Sequence, residues 1–404
     1  MADGKFSKRD RVTIDPFKIR IALSTRFEAP TKTVVNVLRG NDDQVTLKFE
    51  EGPRRSEIIN ESKAFTAELA RFAGRPWAPN NPNPPTPDET RALQNAAAAF
   101  FLRIFRHKTD DLTVARVNEL RYFLDHKNLI GINFDSDVPG IPLDALHYGA
   151  LGAAVDLQRF IGARAPIVHA PRADNDYPGD QESDLRIGFL GTNGVQSVRL
   201  RNPDGIFAAF ERLKIPGERV HEETPLRDPQ GIVMNVADIH ALFRAWAQYR
   251  PIWHITSHTQ TRAGQPVFVL DNGLEVRADF LNRQQGARTF LGQPLMFLNL
   301  CAGTQSGIVD DTNFPDSLNQ LGAGGVIATH CLIHDRFATH FAERFYSHAL
   351  SGELSVGKSL FRARRDSLRN DGTLASLCYS FHAMDDFALP SVPLPDAQET
   401  ARSA

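Results

Sequence analysis

Cysteine is scarce in this chain: there are three, Cys301, Cys331 and Cys378, in 404 residues. An odd and sparse set implies no disulfide framework, so a packed core must hold the fold. No apolar run approaches the roughly 20 residues that a membrane-spanning helix needs. The opening MADGKFSKRDRVTIDPFK is basic, but no apolar stretch follows it. No secretory signal is therefore expected, and the expected location is the cytoplasm. Neither charge is in excess. Lys+Arg 46 against Asp+Glu 48 leaves a net charge of -2, which gives no electrostatic reason to expect nucleic acid or an acidic membrane as partner. GxGxxG and GxxxxGK[ST] loops are both missing, and with them any phosphate-cradling fingerprint.

What is present reads as globular. Hydrophobic residues make up 42% and charged residues 23%, which excludes a wholly disordered chain. The length allows two or three domains, or one large domain with an appendage. Val12–Leu23, Thr33–Leu38 and Val45–Phe49 alternate as strands, and Ser56–Phe72, Asp88–Phe105 and Val114–Leu124 have helical spacing. Between the first two helices lies RPWAPNNPNPPTPDET, residues 75–90. Its Pro and Asn content sustains neither helix nor central strand, and it reads as a loop or linker.

From residue 185 short apolar runs alternate with helical spacings. Arg186–Gly191, Ile252–Thr256, Pro294–Leu300, Gly325–Ala328 and Leu377–His382 read as strands. Gly205–Leu213, Val236–Tyr249, Phe314–Leu321, Arg336–Leu350 and Val356–Leu368 read as helices. Pro266–Leu270 and Leu274–Val276 form a hairpin around Asp271-Asn272-Gly273. The expectation is an α/β fold, a mostly parallel sheet with helices on both faces, preceded by a smaller N-terminal α+β region. Sites in such sheets form at the carboxyl ends of strands.

Two strand ends carry chemistry. WHITSHTQ (253–260) places His258 just past one buried strand, and FLNLCAGTQSG (297–307) places Cys301 just past another. If these strands are parallel neighbours, an imidazole and a thiol emerge at one edge. A thiolate is a nucleophile, and a nearby His takes its proton or lowers its pKa. Backbone N–H groups after Cys301 can face a developing oxyanion. His254 shares a face with His258 by the period of two; lying between Trp253 and Ile255, it reads as a core histidine. His330, Cys331, His334 and His340 raise a metal reading, but no second ligand pair has fitting spacing. The RARR run at 362–365 reads as a solvated helix face.

An ordered series of segments resembles the CHAT-domain proteins, caspase-like peptidases related to separase. GIPLDALHYG (140–149) is similar to the segment that opens these domains, and RIGFLG (186–191) to their first strand. WHITSHTQ and LNLCAGTQSG are similar to the histidine and cysteine motifs. LGAGGVIATHCLIHDRFATHFAERFYSHALSG (321–352), SVGKSLFRARR (355–365) and LCYSFHAMDDFALP (377–390) complete the series. The resemblance implies a caspase-like domain over 111–390, an N-terminal α+β appendage over 1–110 and a tail over 391–404. It implies a cysteine endopeptidase with Cys301 as nucleophile and His258 as base, and the backbone N–H groups of Thr259 and Cys301 as oxyanion hole. No cofactor and no metal are implied. The implied partners are protein substrates, among them an effector encoded alongside in bacterial antiviral defence or programmed death. Asp335, at a turn matching separase-like relatives, is the implied charge of an S1 pocket for a basic P1 residue; a helix cap is its other reading. Arg199 or Arg201 would instead serve an acidic P1. Two departures stand out: the family usually has Gly where Thr259 stands, and the loop CAGTQSG is longer than Cys-x-Ser-Gly. They leave open a catalytically inactive scaffold or binding module.

Overall fold

The computed structural model describes residues 18–27, 32–39, 43–50, 52–80, 82–106, 109–138, 140–171, 187–191, 206–213, 220–222, 252–257, 259–262, 265–269, 275–278, 293–300 and 313–389. The helix expected over 236–249 and the tail after 390 lie outside them. The N-terminal strands follow from their alternation. β1 (Ile19–Arg26) buries Ile19, Ile21 and Leu23, β2 (Lys32–Arg39) buries Val35 and Val37, and β3 (Asp43–Glu50) buries Leu47 and Phe49. They form an antiparallel meander, with Ile21 opposite Val37 and Val35 opposite Leu47. Their one buried face is covered by α2 (Pro87–Phe105) and α3 (Asp111–Asp125), where Phe105 meets Phe49 edge-on at 5.5 Å. Each such side chain contributes about 1.5–3 kcal/mol by leaving water.

The meander does not stand apart. β1 also pairs in parallel with β4 (Leu129–Ser136), which pairs with β5 (Ile167–His169). The order then runs through β14 (Tyr379–His382), β13 (Gly325–Thr329), β12 (Leu295–Leu300), β8 (Ile252–Ser257), β6 (Ile187–Gly191) and β7 (Val220–Glu222), giving one eleven-stranded sheet. Among the described residues the antiparallel junctions of this sheet are β1–β2, β2–β3 and β13–β14. The boundary expected near residue 110 thus falls inside one sheet and one continuous core. β4 is absent from the sequence reading although Ile130, Ile132 and Phe134 alternate with Gly131, Asn133 and Asp135; only Ile132 and Phe134 are buried.

Central strands are buried on both faces. Phe297 and Ile327 pack with Phe341, Phe345 and Tyr346 of α7 (Asp335–Ala349). Trp253, Ile255, Met296, Leu298 and Val326 face the other way, toward Phe314 and Leu318 of α6 (Phe314–Gln320). The shorter helices α4 (Ile161–Arg164) and α5 (Ile206–Arg212) fill the layer edges, and α8 (Val356–Asn370) runs back along α7. Its start is held by Asp386, which accepts from Gly357 N at 2.7 Å and Ser355 Oγ at 2.5 Å. A Cβ on Gly357 would come within about 3.0 Å of that carboxylate, so a larger residue there would push Asp386 back from the helix start.

One expectation needs a closer reading and one a correction. The Pro-rich segment is the expected loop, but it is not loose. Trp77 is buried against Phe337 and His340, with ring centroids at 5.6 and 4.8 Å. Arg75 pairs with Glu89, which closes a capping box with Thr86 at the start of α2. The partnership holds the Glu89 carboxyl down at about 2. Nor is RARR a uniformly solvated face. Arg364 lies on the inner stripe of α8 with Leu360, Ala363 and Leu368 and is 1% exposed. Its Nη2 donates to Asp144 Oδ1 at 2.7 Å and to Tyr379 O at 2.8 Å, and its Nη1 donates to Gly162 O at 2.9 Å. Asp144 Oδ2 meets His169 Nε2 at 2.7 Å. Burial acts to raise the Asp144 carboxyl, but Arg364 and His169 outweigh it and hold it below the usual carboxylate range.

Removing one partner of a buried pair strands the other charge. Arg364→Ala or Asp144→Ala is expected to lower stability by about 3–5 kcal/mol, read by urea denaturation, and joint replacement by apolar residues of similar volume to cost less than either. A loss below about 1 kcal/mol in Arg364→Ala would contradict this role.

Candidate active site

The two strands that carry the candidate residues are neighbours. β8 and β12 run parallel in unbroken register from Ile252↔Leu295 to Ser257↔Leu300. That last pair is the final described position of each strand at the carboxyl edge of the sheet. His258 follows Ser257 and Cys301 follows Leu300 in the sequence. His258 and Cys301 themselves lie outside the described residues, as do Arg199 and Arg201.

Beneath the strand ends lies a buried polar chain. His254, on β8, is 0% exposed and stacks on Phe297 at 4.9 Å. Its Nδ1 is 2.9 Å from Tyr346 Oη, and its Nε2 is 3.2 Å from Asn299 Nδ2. Tyr379 Oη donates to Asn299 Oδ1 at 2.9 Å. With the Asn299 amide oriented so that Oδ1 accepts from Tyr379, its N–H donates to Nε2, and the His254 proton is assigned to Nδ1, facing Tyr346. Burial pushes the His254 pKa down to about 3 and the Tyr346 pKa well above its ordinary value. His254 is therefore the satisfied core histidine that its sequence position indicates. The sequence reading passes over Asn299, whose signal was a lone amide inside the apolar run PLMFLNL. A buried amide there needs partners.

The remaining candidates are placed as follows. Thr259 is half-buried and opens β9 (Thr259–Arg262), opposite Phe268 of β10 (Gln265–Val269). β10 pairs in turn with β11 (Glu275–Arg277), which gives the expected hairpin and, with β9, a separate three-stranded sheet. Asp335 is exposed and is the first residue of α7. The N-cap is His334, whose N–H donates to Ala73 O at 3.0 Å, so the cap reading of Asp335 shifts by one residue. Cys331 and Cys378 are buried with their sulfurs 3.1 Å apart, and burial pushes the Cys378 thiol well above its ordinary value. Both belong to the core, unlike an accessible thiolate. His330 and His340 are likewise engaged in packing, His330 wholly buried and His340 against Trp77. Among the described residues no group of three or more His, Cys, Asp or Glu side chains is placed to hold a metal ion. Among them, too, no helix is long and apolar enough to cross a membrane.

With this geometry the chain has an α/β fold, a mostly parallel sheet with helices on both faces, and that fold is shared with a solved structure. It superposes with a TM-score of 0.52 on a chain of the Saccharomyces cerevisiae separase–securin complex, over 92% of its own length and 30% of that chain, at 9% identity. A second structure of that complex gives a TM-score of 0.49 at 9% identity, covering 90% of this chain and 30% of that one. Caspase-1 from Spodoptera frugiperda gives 0.33 at 11% identity, covering 55% of this chain and all of that one. The chain thus spans about a third of the first structure's length, and at such identity the likeness is one of fold. No protein-family model matches the chain, and no curated protein matches it significantly.

The buried histidines make stability depend on pH with a definite sign. His254 and His330 are held at about 3, and His382 well below its ordinary value, in each case mainly by burial. Above the unfolded value of about 6.5 they are neutral in both states. As pH falls below it the unfolded chain takes up protons that the folded chain refuses, so stability declines down to the folded value, by about 2 kcal/mol per such histidine at pH 5. Denaturation midpoints should fall steadily between pH 7 and pH 5; a flat profile over that window would contradict neutral burial.

Proposed function

We propose that the chain is a caspase-like cysteine endopeptidase with Cys301 as nucleophile and His258 as general base. The observation that carries this is the register of β8 on β12: its last pair, Ser257 and Leu300, stands one residue before His258 and Cys301. With strands about 4.8 Å apart and 3.8 Å between successive Cα atoms, covalent geometry alone limits those two Cα atoms to about 12 Å apart. The ordered CHAT-like segments and the fold likeness to the separase-complex chain support the same reading.

In this mechanism His258 takes the Cys301 proton and the thiolate attacks a peptide carbonyl carbon. The N–H groups of Cys301 and Thr259 face the oxyanion that forms. The intermediate collapses as His258 returns the proton to the leaving amine, leaving a thioester that water hydrolyses with His258 again as base. Cofactor and metal are not needed. The substrates are specific protein targets, including an effector activated by cleavage in bacterial defence or programmed death. Asp335, exposed just beyond the strand next to β12, supplies the charge for Arg or Lys at P1. A second reading, an inactive binding module, is favoured by Thr259, whose Cβ narrows the backbone freedom that the family's usual Gly has at this point.

Cys301→Ala and His258→Ala should each abolish cleavage of a peptide library while leaving the melting temperature unchanged, and the double variant should be no worse than either, because the two act as a unit. Cleavage retained by Cys301→Ala would overturn the assignment. Selective labelling of Cys301 by an electrophilic peptide probe separates an enzyme from a silent module.

Specificity has its own readout. In the same library, cleavage should follow Arg or Lys, and Asp335→Ala should reduce that preference. Cleavage mainly after Asp or after Leu would reject the role of Asp335 while leaving the dyad standing.

A further inference from the structure

We propose that Asn299, clamped between His254 and Tyr379, is a positioning residue that sets the register of β8 against β12 and thereby aligns the two chemistry-bearing strand ends. The inference rests on the reading of Cys301 as the nucleophile. Register is ordinarily set by alternation, because a slip of one residue turns every side chain to the opposite face. β8 and β12 lack that protection. Ile252–Ser257 and Leu295–Asn299 bury side chains on both faces, so a slipped pairing would still bury apolar side chains. A directional side-chain link across this pair is the Asn299–His254 bond, which runs diagonally, since Asn299 is opposite Thr256 and His254 opposite Phe297.

Both ends of the link are anchored outside the pair. Tyr346 holds His254 from α7, and Tyr379 reaches Asn299 from β14, across β13. All four residues are nearly or fully buried. Packing alone does not require them, since replacing both partners of a buried hydrogen bond by apolar groups of the same shape is nearly neutral. What an apolar group cannot replace is direction. A one-residue slip displaces one strand end by about 3.3 Å and reverses its facing, which separates a base from its nucleophile. Asn299 lies two residues before Cys301, and His254 four before His258. A strand error at the network is therefore carried straight to the pair.

The test measures the rate at which iodoacetamide alkylates Cys301 as a function of pH, by peptide mass spectrometry on the full chain, beside the melting temperature. In the wild type, Cys301 should titrate below an ordinary thiol. In Asn299→Leu its apparent pKa should rise by at least about one unit, lowering the rate at pH 7 by about three- to tenfold. Tyr379→Phe, which loses only a hydroxyl, should shift it in the same direction by less, with the melting temperature near the wild type. This variant keeps the test decisive if Asn299→Leu fails to fold. A wild-type profile already ordinary would overturn the nucleophile reading and this inference with it. A perturbed wild-type profile left unchanged in folded Asn299→Leu or Tyr379→Phe would overturn the inference alone.

Discussion

The pairing of two parallel strands that carry no register signal of their own is the constraint around which this protein is organised. Among the described residues β12 and β8 are the eighth and ninth strands of an eleven-stranded sheet, each paired on both sides, with helices on both faces. Burial stabilises such strands well and specifies their alignment poorly. The alignment is supplied by a few directional bonds, His254 to Asn299 above all, and those bonds need rigid anchors.

The anchors form one connected polar chain. His169 of β5 meets Asp144, Asp144 pairs with Arg364 of α8, and Arg364 donates to the backbone of Tyr379. The Tyr379 hydroxyl reaches Asn299, which reaches His254, which reaches Tyr346 of α7. The chain passes from the N-terminal side of the sheet to the candidate site without leaving the core. It explains why a guanidinium with almost no exposure is tolerated: Gly162 O, Ser376 O, Tyr379 O and the Asp144 carboxylate all accept from it. It also makes the first 110 residues more than an attachment, since their strands extend the sheet that β5 belongs to.

How much of this was legible follows from what pattern can encode. The strands β2 and β3, the helices over residues 55–73, 87–105, 111–125, 335–349 and 356–370, and the pairing of β10 with β11 follow from period and turn chemistry and match the structure within a few residues, whereas residues 12–17 and 236–249 lie outside the described ones. The adjacency of β8 and β12 was only a condition in the sequence, because periodicity says nothing about which strands pair. Polar residues on apolar faces were hardest to read. Arg364 hides inside a basic run, Asp144 inside GIPLDALHYG and Asn299 inside an apolar strand, and their partners lie 12 to 220 positions away. The Pro-rich segment misleads for a related reason: its composition excludes helix and strand but is silent on Trp77, which docks it against α7.

The central claim is that the register of two strands delivers a thiol and an imidazole to one reacting centre. Its most direct test is a crystal structure of the protein after reaction with an irreversible peptide electrophile. The account predicts continuous density from Cys301 Sγ to the electrophilic carbon, with a ring nitrogen of His258 within hydrogen-bonding reach of the sulfur or the leaving group. Modification elsewhere, or a Cys301 adduct with the His258 ring directed away from it, would contradict the account.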